Sequence, residues 1–523
     1  MTKKLLVGLA IAVTLAVALF PLRGVLLGKP FWKASQTVPS TVDGYVVRIA
    51  GDGSVLGPGT SVLPGETIGF AASAPAETSW TPKILNVAGH VVATLPTVHV
   101  SPPNWKSASP WLDGTGDPVV ETWTVPADLP SGFYFVAGDR ELFFAVRENN
   151  PHPSPIVVLL PTNTITAYSS TDGRSLYAHP TKVAGVSFLR PMDQGRSEGW
   201  LPFLQWLSDQ KPFAAPVAFA VDVDLEDPAL LDNAKILIVL GHSEYWTRAA
   251  RKNFDAFVDR GGNAIMAGGN DMWWQARYSP DRRTMFVYRL LAGKPLSNGG
   301  DGETNPIFLT KEWDTPALGY PIISSIGGDF RHGGFGQLAN QNGLFRSAYT
   351  VAEADSPVFA GTGLKTCDRI ELPRSTEYDG SPIVGLDAIG RPIADLKAIG
   401  AYRYELLAYE WNHNTKYQLG TMQILQRKPD SGYVLHMGAR GCCITEAFYK
   451  KGAEGKTIVQ QILRNAVALF LTRTDPLANA PSPRPVVFPM STPWGGAMPP
   501  VPENACEPHM GDAELENPEA GSD

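Results

Sequence analysis

Residues 40–150 alternate between short apolar segments and turn residues, at a spacing of about ten residues. The segments GYVVRIA, ETIGFAAS, VETWTV and GFYFVAG are rich in β-branched and aromatic residues, and glycine, proline or aspartate separates them. Nothing in this part has the apolar period of a long helix. The pattern predicts a β-sandwich domain of the immunoglobulin-like kind, and NNPHPSP at 149–155 predicts a hinge after it.

From Ile156 onwards the pattern changes to uninterrupted apolar runs that alternate with helical spacing. PIVVLL, FAAPVAFAVD, AKILIVLG, NAIMAGG and the later GYVLHMGA predict buried strands, whereas LPFLQWLSD, TRAARKNFDAFVDRGG and KTIVQQILRNAVALFLTRT predict helices. DPALLDN predicts a further helix capped by its aspartate. We therefore expect an α/β domain over 151–474. Its parallel sheet, with helices on both faces, would be of the flavodoxin or class I glutamine-amidotransferase type. The Gly-rich part between about 290 and 425 predicts an elaboration of the sheet's rim.

The two ends of the chain differ from the rest in composition. Residues 1–30 carry two lysines, Lys3 and Lys4, followed by an apolar run, which predicts a signal peptide or an N-terminal membrane anchor. Because no small-x-small cleavage site follows, we expect an uncleaved anchor with the bulk of the chain exported on the extracytoplasmic side. A cleaved segment would instead give a periplasmic or secreted protein. Residues 475–523 are rich in proline and then acidic, which predicts a disordered tail.

Charge and cysteine content argue against three classes of protein: nucleic-acid-binding proteins, disulfide scaffolds and zinc-site proteins. The chain has 523 residues and a net charge of −7, which disfavours binding to nucleic acid through its phosphates. Four cysteines without a C-x₂₋₄-C pair predict neither a disulfide scaffold nor a zinc site. Cys442 and Cys443 are expected to be core or loop thiols. One bridge, from Cys367 to Cys442 or Cys443, is expected if the domain is exported.

Polar residues follow three of the predicted strands at the point where each strand ends. In open parallel sheets, ligands bind outside the carboxyl ends of the strands, so these side chains are candidates for one site. The candidates are Asn163, Tyr168 and Tyr177 after PIVVLL, His242, Ser243 and Glu244 after AKILIVLG, and Asn270, Asp271, Trp273 and Trp274 after NAIMAGG.

Several known chemistries lack their motifs in this chain. The sequence has no GxSxG, GxxxxGK[ST] or HExxH segment. The strand AKILIVLG leads into GHSEY, so the glycine-flanked cysteine nucleophile of glutamine amidotransferases is also missing. The candidate residues could still form a metal site, or catalyse a reaction as acid and base through a carboxylate and an imidazole. Tyrosine and glutamate are hard oxygen donors, and two tyrosinates with a glutamate suit ferric iron better than zinc. Such an ion polarises a carbonyl and activates water.

At these residues the sequence resembles the large (beta) subunit family of N,N-dimethylformamidase. AYSSTDGRSLY, VSFLRP, LPFLQWL, IVLGHSEYWT, RGGNAIMAGGNDMWW and RTMFVY are similar, in order, to the family's C-terminal region over about 150–300. TEYDG and SPVFAGTGL give a weaker likeness over 350–470, and VLPGETIGF and LPSGFYFV resemble the sandwich that precedes it. One departure is AYSSTDG, where family members have AYN followed by a Gly-Gly pattern.

The resemblance implies an amidohydrolase that cleaves a small formamide with one iron, expected as Fe³⁺, per chain. It implies that Glu244 and Tyr168 are metal ligands. The second tyrosine ligand would be Tyr134 of PSGFYFV, with Tyr177 as the alternative.

Three further residues are assigned to the reaction itself by the resemblance. It implies that His242, Asn270 and Glu377 of TEYDG are catalytic or substrate-orienting residues. In this hypothesis His242 moves a proton and Asn270 holds the developing oxyanion, while Glu377 supplies a further carboxylate.

Two other functions stay open at this stage. One is an extracytoplasmic binding module for a glycan or cell-wall ligand, with Trp273 and Trp274 as platforms and no catalysis. The other is a hydrolase that acts on an ester or a sugar linkage at the same site. For the first hypothesis we expect a small amide-like substrate, no nucleic acid and membrane contact through the N-terminal segment. Homo-oligomer formation and a companion small subunit are left open.

Overall fold

The computed structural model describes residues 42–136, 139–149, 153–170, 174–177, 183–192, 198–289, 303–335, 347–372, 375, 377–412, 418–443, 447–451, 457–480, 484–490 and 506. The predicted signal peptide or anchor over residues 1–30 lies outside the described residues, so that prediction stays untested. In the part of the chain that is described, no helix has the length and apolar character needed to cross a membrane.

The first part of the chain forms two main β-sheets from the short strands that the sequence predicts. One sheet has the order β2-β1-β4-β9 and the other β3-β11-β10-β6-β7, while β5 and β8 form a separate pair. The elements are β1 (Asp43–Ile49), β2 (Val55–Pro58), β3 (Ser61–Val62), β4 (Thr67–Ser73), β5 (Thr78–Trp80), β6 (Lys83–Asn86), β7 (Val91–Thr94), β8 (Val98–Val100), α1 (Pro110–Asp113), β9 (Val119–Thr124), β10 (Gly132–Val136) and β11 (Asp139–Val146).

The two main sheets share one apolar core. Ile68 and Phe70 of β4 pack with Val136 of β10 and Phe144 of β11, and all four are buried. Alternate residues of these strands point inwards, as expected for sheets that bury one face. The first part of the chain is therefore a β-sandwich.

The rest of the described chain forms a mixed α/β region in which sheets predominate and helices are few. Its elements are β12 (Ile156–Leu160), α2 (Thr162–Tyr168), β13 (Gly185–Ser187), α3 (Leu201–Gln210), β14 (Val217–Val221), β15 (Ile236–Leu240), β16 (Tyr245–Thr247), α4 (Arg248–Asp259), β17 (Asn263–Ala267), β18 (Trp274–Tyr278), β19 (Thr284–Phe286), α5 (Ile323–Ile326), α6 (Phe330–Gly333), β20 (Gly334–Phe335), β21 (Ser347–Val351), β22 (Arg369–Leu372), β23 (Glu377–Gly380), β24 (Ile383–Leu386), β25 (Pro392–Ala394), α7 (Leu396–Ile399), β26 (Arg403–Asn412), β27 (Gln418–Gln426), β28 (Tyr433–His436), α8 (Ile458–Leu471) and β29 (Phe488–Pro489).

A nine-stranded sheet with the order β14-β12-β15-β17-β28-β27-β26-β21-β22 lies at the centre of this region. The first five strands in that order are parallel to one another. The other four are antiparallel and come from the part of the chain that was predicted to elaborate the rim. The prediction of a parallel sheet is therefore right for five strands. The four antiparallel strands, β27, β26, β21 and β22, extend this sheet on the side of β28.

Both faces of the central sheet are covered. On one face, Ile156 and Val158 of β12 pack with residues of α3 and α8, among them the fully buried Trp206. On the other face, Val157 and Leu159 pack with residues of α4. Every residue of β12 is thus buried, which explains its uninterrupted apolar sequence.

One predicted helix is shorter than expected. Asp227 accepts a hydrogen bond from the backbone N–H of Ala229, as predicted for a cap, but only a 3₁₀ segment follows, at Pro228–Leu231. A second 3₁₀ segment, at Asp222–Glu226, precedes it, so the connection from β14 to β15 over residues 222–235 is made of 3₁₀ turns and contains no α-helix.

The cysteine bridge differs from the prediction. Cys367 is bonded to Cys506, 139 residues away, whereas Cys442 and Cys443 are buried and bonded to neither of them. The predicted bridge from Cys367 to Cys442 or Cys443 is therefore wrong, because both of those thiols are enclosed in the core that α8 covers. The predicted tail disorder does not hold at Phe488–Pro489 and Cys506, since β29 pairs with β24 and Cys506 is held by its disulfide.

Candidate active site

Three neighbouring parallel strands end at one edge of the central sheet and deliver polar residues there. Tyr168 is the last residue of α2, which follows β12, while His242 and Glu244 follow β15 and Asn270 follows β17. A fourth element, β23, begins with Glu377. The side chains predicted from the strand ends therefore meet where the topology of an open α/β sheet places a ligand site.

Close backbone packing joins the loop after β15 to the loop after β17. A Cβ atom on Gly268 would lie 1.9 Å from the carbonyl oxygen of Gly241, so only glycine fits at this position. Asn270 follows with a φ of 55°, in the left-handed region that asparagine tolerates better than most residues. This arrangement turns the Asn270 amide towards Glu244.

Two stacked tyrosines form one wall of the site. The rings of Tyr168 and Tyr177 are 3.7 Å apart with an interplanar angle of 14°. The Tyr177 hydroxyl lies 3.0 Å from Oε1 and 2.8 Å from Oε2 of Glu244. The Tyr168 hydroxyl lies 3.4 Å from Nε2 of His242. The structure thus brings two phenolic oxygens to a carboxylate and an imidazole.

Buried Arg190 holds the two tyrosine-bearing segments in place. Its guanidinium donates hydrogen bonds to the carbonyl oxygens of Thr166 and Ser169 at the end of α2, and to that of Arg174 in the segment with Tyr177. Hydrogen bonds from a charged donor to buried carbonyls are among the stronger ones in proteins. Arg190 therefore fixes the relative position of Tyr168 and Tyr177.

Glu244 is the electrostatic centre of the site and is 2% exposed. Burial alone would raise the pKa of its carboxyl group. The charge and hydrogen bond of His242, the charge of Arg289 and the hydrogen bond from Tyr177 lower that pKa to about 2. Glu244 is thus ionised at every physiological pH and is a ready ligand for a cation.

His242 is oriented by the backbone. Its Nδ1 lies 3.1 Å from the carbonyl oxygen of Gly269, which fixes a proton on Nδ1 and turns Nε2 towards the site. Nε2 lies 3.3 Å from Glu244 Oε2 and 3.5 Å from Glu377 Oε2. Burial and the charge of Arg440 lower the pKa of His242, but the two carboxylates outweigh them and raise it.

Glu377 and Asn270 complete the polar lining. Glu377 Oε1 forms an ion pair of 3.1 Å with Arg440, and the Arg440 backbone N–H donates to the Glu377 carbonyl oxygen. Asn270 Nδ2 donates to Glu244 Oε1 at 3.3 Å. Among the described residues, Asn270 Oδ1 and Glu377 Oε2 are buried without a hydrogen-bond partner. Buried polar atoms of this kind need an explanation, and a substrate is one.

Three residues that sequence reasoning did not single out also belong to the site: Tyr245, Arg289 and Arg440, the partner of Glu377. The Tyr245 hydroxyl is hydrogen-bonded to the Tyr177 hydroxyl and accepts a bond of 3.1 Å from Arg289. The Arg289 guanidinium lies 3.9 Å from the centre of the Tyr177 ring. Tyr245 directly follows Glu244 in GHSEYW, which was a usable signal. Arg289 and Arg440 stand in no motif.

Tyr134 is not part of this cluster. Its ring stacks on Phe144 in the core of the β-sandwich, and its hydroxyl donates to the carbonyl oxygen of Pro130. Tyr134 therefore lies outside the cluster around Glu244, whereas the hydroxyl of Tyr177, the alternative, is within hydrogen-bond distance of Glu244.

Asn163 is placed near the site but serves the fold. Its Nδ2 lies 2.9 Å from the Tyr245 carbonyl oxygen, and its side-chain amide exchanges hydrogen bonds with the Tyr278 hydroxyl. Its backbone N–H donates to Asp222 Oδ2 at 2.7 Å. Asn163 and Asp222 therefore secure the start of α2.

Asp222 makes the stability of this region depend on pH. Burial raises the pKa of its carboxyl group to about 8, although hydrogen bonds from Asn163 and Thr162 oppose the shift. Because the folded-state pKa lies above the unfolded value of about 3.9, this group stabilises the fold fully below pH 4 and loses that effect as the pH rises through 8.

We expect Asp222→Asn to flatten the pH dependence of unfolding between pH 5 and 8. The wild-type chain should lose about 1 kcal/mol of unfolding free energy per pH unit relative to the variant, since asparagine mimics the protonated acid. Denaturant unfolding at several pH values measures this difference. Parallel curves for the two proteins would show that Asp222 does not titrate in this range.

The donor set fits a hard trivalent cation. Tyr168, Tyr177 and Glu244 offer two phenolic oxygens and a carboxylate, the donors that ferric iron prefers over zinc. Burial and the charge of Glu244 raise the pKa of both tyrosines well above the usual range. A cation bound among these oxygens would reverse that shift and stabilise the tyrosinates. The residues therefore fit an iron ion.

A second polar group lies behind the site. His436 Nε2 is 3.0 Å from Asp379 Oδ2 and 3.6 Å from Asp271 Oδ2, and all three side chains are fully buried. Asp271 follows Asn270, and Asp379 lies on the same strand as Glu377. Ligand atoms of the three residues lie within 4.8 Å of one another. This group links the Asn270 loop to β23.

A known protein family matches this chain over most of its length. Residues 68–439 match the family described as N,N-dimethylformamidase beta subunit-like, C-terminal. No curated protein matches the chain. A crystal structure of a Thua-like protein from Bacteroides uniformis ATCC 8492 is 10% identical. It covers 61% of this chain and 91% of its own, with a TM-score of 0.29, which is too low to support an argument. The family match includes Tyr168, His242, Glu244, Asn270 and Glu377.

Proposed function

Because the chain belongs to the N,N-dimethylformamidase beta subunit-like, C-terminal family, we propose that it is an iron-dependent hydrolase of a C–N amide bond in a small molecule. One observation carries this proposal. The hydroxyls of Tyr168 and Tyr177 converge on Glu244 and on Nε2 of His242, in a buried site at the strand ends. Hard oxygen donors beside a group that accepts protons are what metal-assisted hydrolysis requires.

The proposed ligands are Tyr168, Tyr177 and Glu244. They would hold a ferric ion, which when bound would supply Lewis-acid polarisation of the amide carbonyl and a lower pKa for a water molecule. Arg289 covers the Tyr177 ring and donates to Tyr245, which places positive charge beside the phenolic oxygens. This charge supports the ionised form of the tyrosines.

The remaining site residues handle the proton and the substrate. His242 Nε2 faces the site because Nδ1 is held by the Gly269 carbonyl oxygen, so Nε2 takes the proton of the attacking water and returns it to the leaving amine. Asn270 presents its amide to the carbonyl oxygen of the substrate, which develops negative charge. Glu377 lies 3.5 Å from His242 Nε2 and stabilises the imidazolium.

We assign the β-sandwich to the immunoglobulin-like class. Across the sheet the five parallel strands lie in the order β14-β12-β15-β17-β28. Numbered by their position in the chain, this order is 2-1-3-4-5, which is the order of flavodoxin-like sheets. An exported location, a membrane anchor and a companion subunit remain predictions.

The binding-module alternative depends on accessible tryptophans. Trp274 is only 7% exposed and has Arg289 over its ring, while Trp273 packs edge-on against Phe330. The buried Trp274 ring is therefore not an open platform for a glycan, and the Trp273 ring is only partly exposed.

A substrate panel with tyrosine variants tests the proposal. We expect the wild-type chain to release an amine from small N-alkyl formamides, and Tyr177→Phe to lose at least about 100-fold in kcat/KM, as for a group that stabilises the reacting charge. Tyr134→Phe is the matched control, because it removes a buried tyrosine hydroxyl outside the site. Equal losses in both variants would remove the distinction on which the ligand assignment rests. Cleavage of esters but not amides would change the bond assigned.

A further inference from the structure

Two consecutive cysteines in the core lie unusually close together. Cys442 and Cys443 are each 0% exposed, and their sulfur atoms are 2.9 Å apart. Non-bonded heavy atoms normally settle at about 3.5–4.0 Å. The backbone of this loop therefore already holds the two sulfurs inside ordinary contact distance.

The same chain contains a disulfide that joins distant parts of the fold. Cys367 and Cys506 are bonded across 139 residues. Disulfides of this kind form and persist in oxidising compartments. The thiols of Cys442 and Cys443 would be exposed to the same oxidising conditions while the chain folds.

We propose that Cys442 and Cys443 form a vicinal disulfide in the native protein, a modification that closes a small ring within the loop. The thiolate of one cysteine attacks a disulfide donor of the glutathione or protein-disulfide class and forms a mixed disulfide. The second thiol then displaces the donor's remaining sulfur. One S–S bond forms and one breaks, the two cysteines are oxidised, and the donor leaves as two thiols.

The timing of the step follows from burial. Burial and the contact with Cys443 raise the pKa of the Cys442 thiol, so attack by its thiolate is slow once the core has closed. The bond is therefore made before the loop is buried. Adjacent Cα atoms are about 3.8 Å apart across a trans peptide, below the usual 4.4 Å or more for a disulfide, so the bond is readily reduced when exposed. The closed core protects it.

The bond would act on the loop that carries Arg440. The Arg440 N–H donates to the Glu377 carbonyl oxygen, the Gly441 N–H donates to Ser375 Oγ at 3.0 Å, and the Cys442 N–H donates to the Ala439 carbonyl oxygen. A ring at the end of this segment restricts its backbone freedom. This inference stands without the proposed hydrolase activity.

The test is refolding of the full chain in a series of glutathione buffers, with the bond between Cys367 and Cys506 as internal marker. Samples in which the marker bond has formed are alkylated in denaturant without reductant and digested with trypsin. The masses of the peptides are then measured by mass spectrometry. Trypsin cuts after Arg440 and Lys450 and releases GCCITEAFYK. We expect that peptide without alkyl groups and two hydrogens lighter than its dithiol form. Two alkyl groups on it, while the marker is bonded, would overturn the proposal.

Two variants keep the result unambiguous. Cys367→Ser removes the marker bond, and GCCITEAFYK should still be two hydrogens lighter. A bond from Cys506 to this peptide in that variant would contradict a preformed pair. Cys443→Ser should leave a single alkylated cysteine at Cys442 and an intact bond between Cys367 and Cys506.

Discussion

Replacing Glu244 with glutamine is expected to remove bound iron and hydrolytic activity together, while the chain stays folded. Glu244 contacts Tyr177 through both carboxylate oxygens, lies 3.3 Å from His242 Nε2 and accepts a hydrogen bond from Asn270, so three other site residues converge on it. Its pKa of about 2 shows that its surroundings are built for the negative charge. Glutamine keeps the shape but removes that charge. We expect turnover to fall at least about 1000-fold.

A matched control separates the charge of Glu244 from the general effect of a buried carboxylate. Glu405 is also buried and accepts a hydrogen bond of 3.1 Å from Ser356, but it lies on β26, away from the Glu244 cluster. Glu405→Gln should retain iron and activity. Iron analysis, turnover and circular dichroism on both variants give the comparison. An active, iron-containing Glu244→Gln protein would show that Glu244 is not a ligand.

Replacing His242 with alanine is expected to lower turnover by about 10²–10⁴-fold while iron remains bound. The reason is that His242 Nε2 faces Tyr168, Glu244 and Glu377 as a carrier of protons, whereas the hard oxygen donors hold the ion. His90→Ala, at an exposed position of the β-sandwich, controls for the loss of an imidazole elsewhere. The pH profile of turnover should lose the limb that reports the titration of His242.

The outcome for iron decides between two roles of His242. If iron is lost in parallel with activity in His242→Ala, the imidazole is a ligand and the assigned proton transfer needs another residue. If iron stays and kcat falls with little change in KM, His242 acts in the chemical step.

The strand ends could be predicted from the sequence because they depend on local pattern. The apolar runs before Asn163, His242 and Asn270 show where buried strands stop, and a parallel sheet collects those ends at one edge. That reasoning needs no knowledge of distant contacts. It identified Glu244 and His242, which the structure brings within 3.3 Å of each other.

The second tyrosine could not be settled in the same way. Tyr177 reaches Glu244 because Arg190 binds carbonyl oxygens of two segments at once, and no local period encodes such a contact. Arg440 reaches Glu377 only because the chain after β28 returns to β23. The partner of Cys367 likewise lies in a tail whose composition predicts disorder. These contacts join segments that are far apart in the chain, and the packing of loops sets them. The local pattern of the sequence therefore could not predict them.

The most direct test of the central claim is the iron content and visible absorption spectrum of the full chain, purified without chelators. The account predicts about one iron per chain and a tyrosinate-to-iron charge-transfer band that Tyr168→Phe shifts or removes. A colourless protein that contains no iron and takes none up on addition of the metal would contradict it.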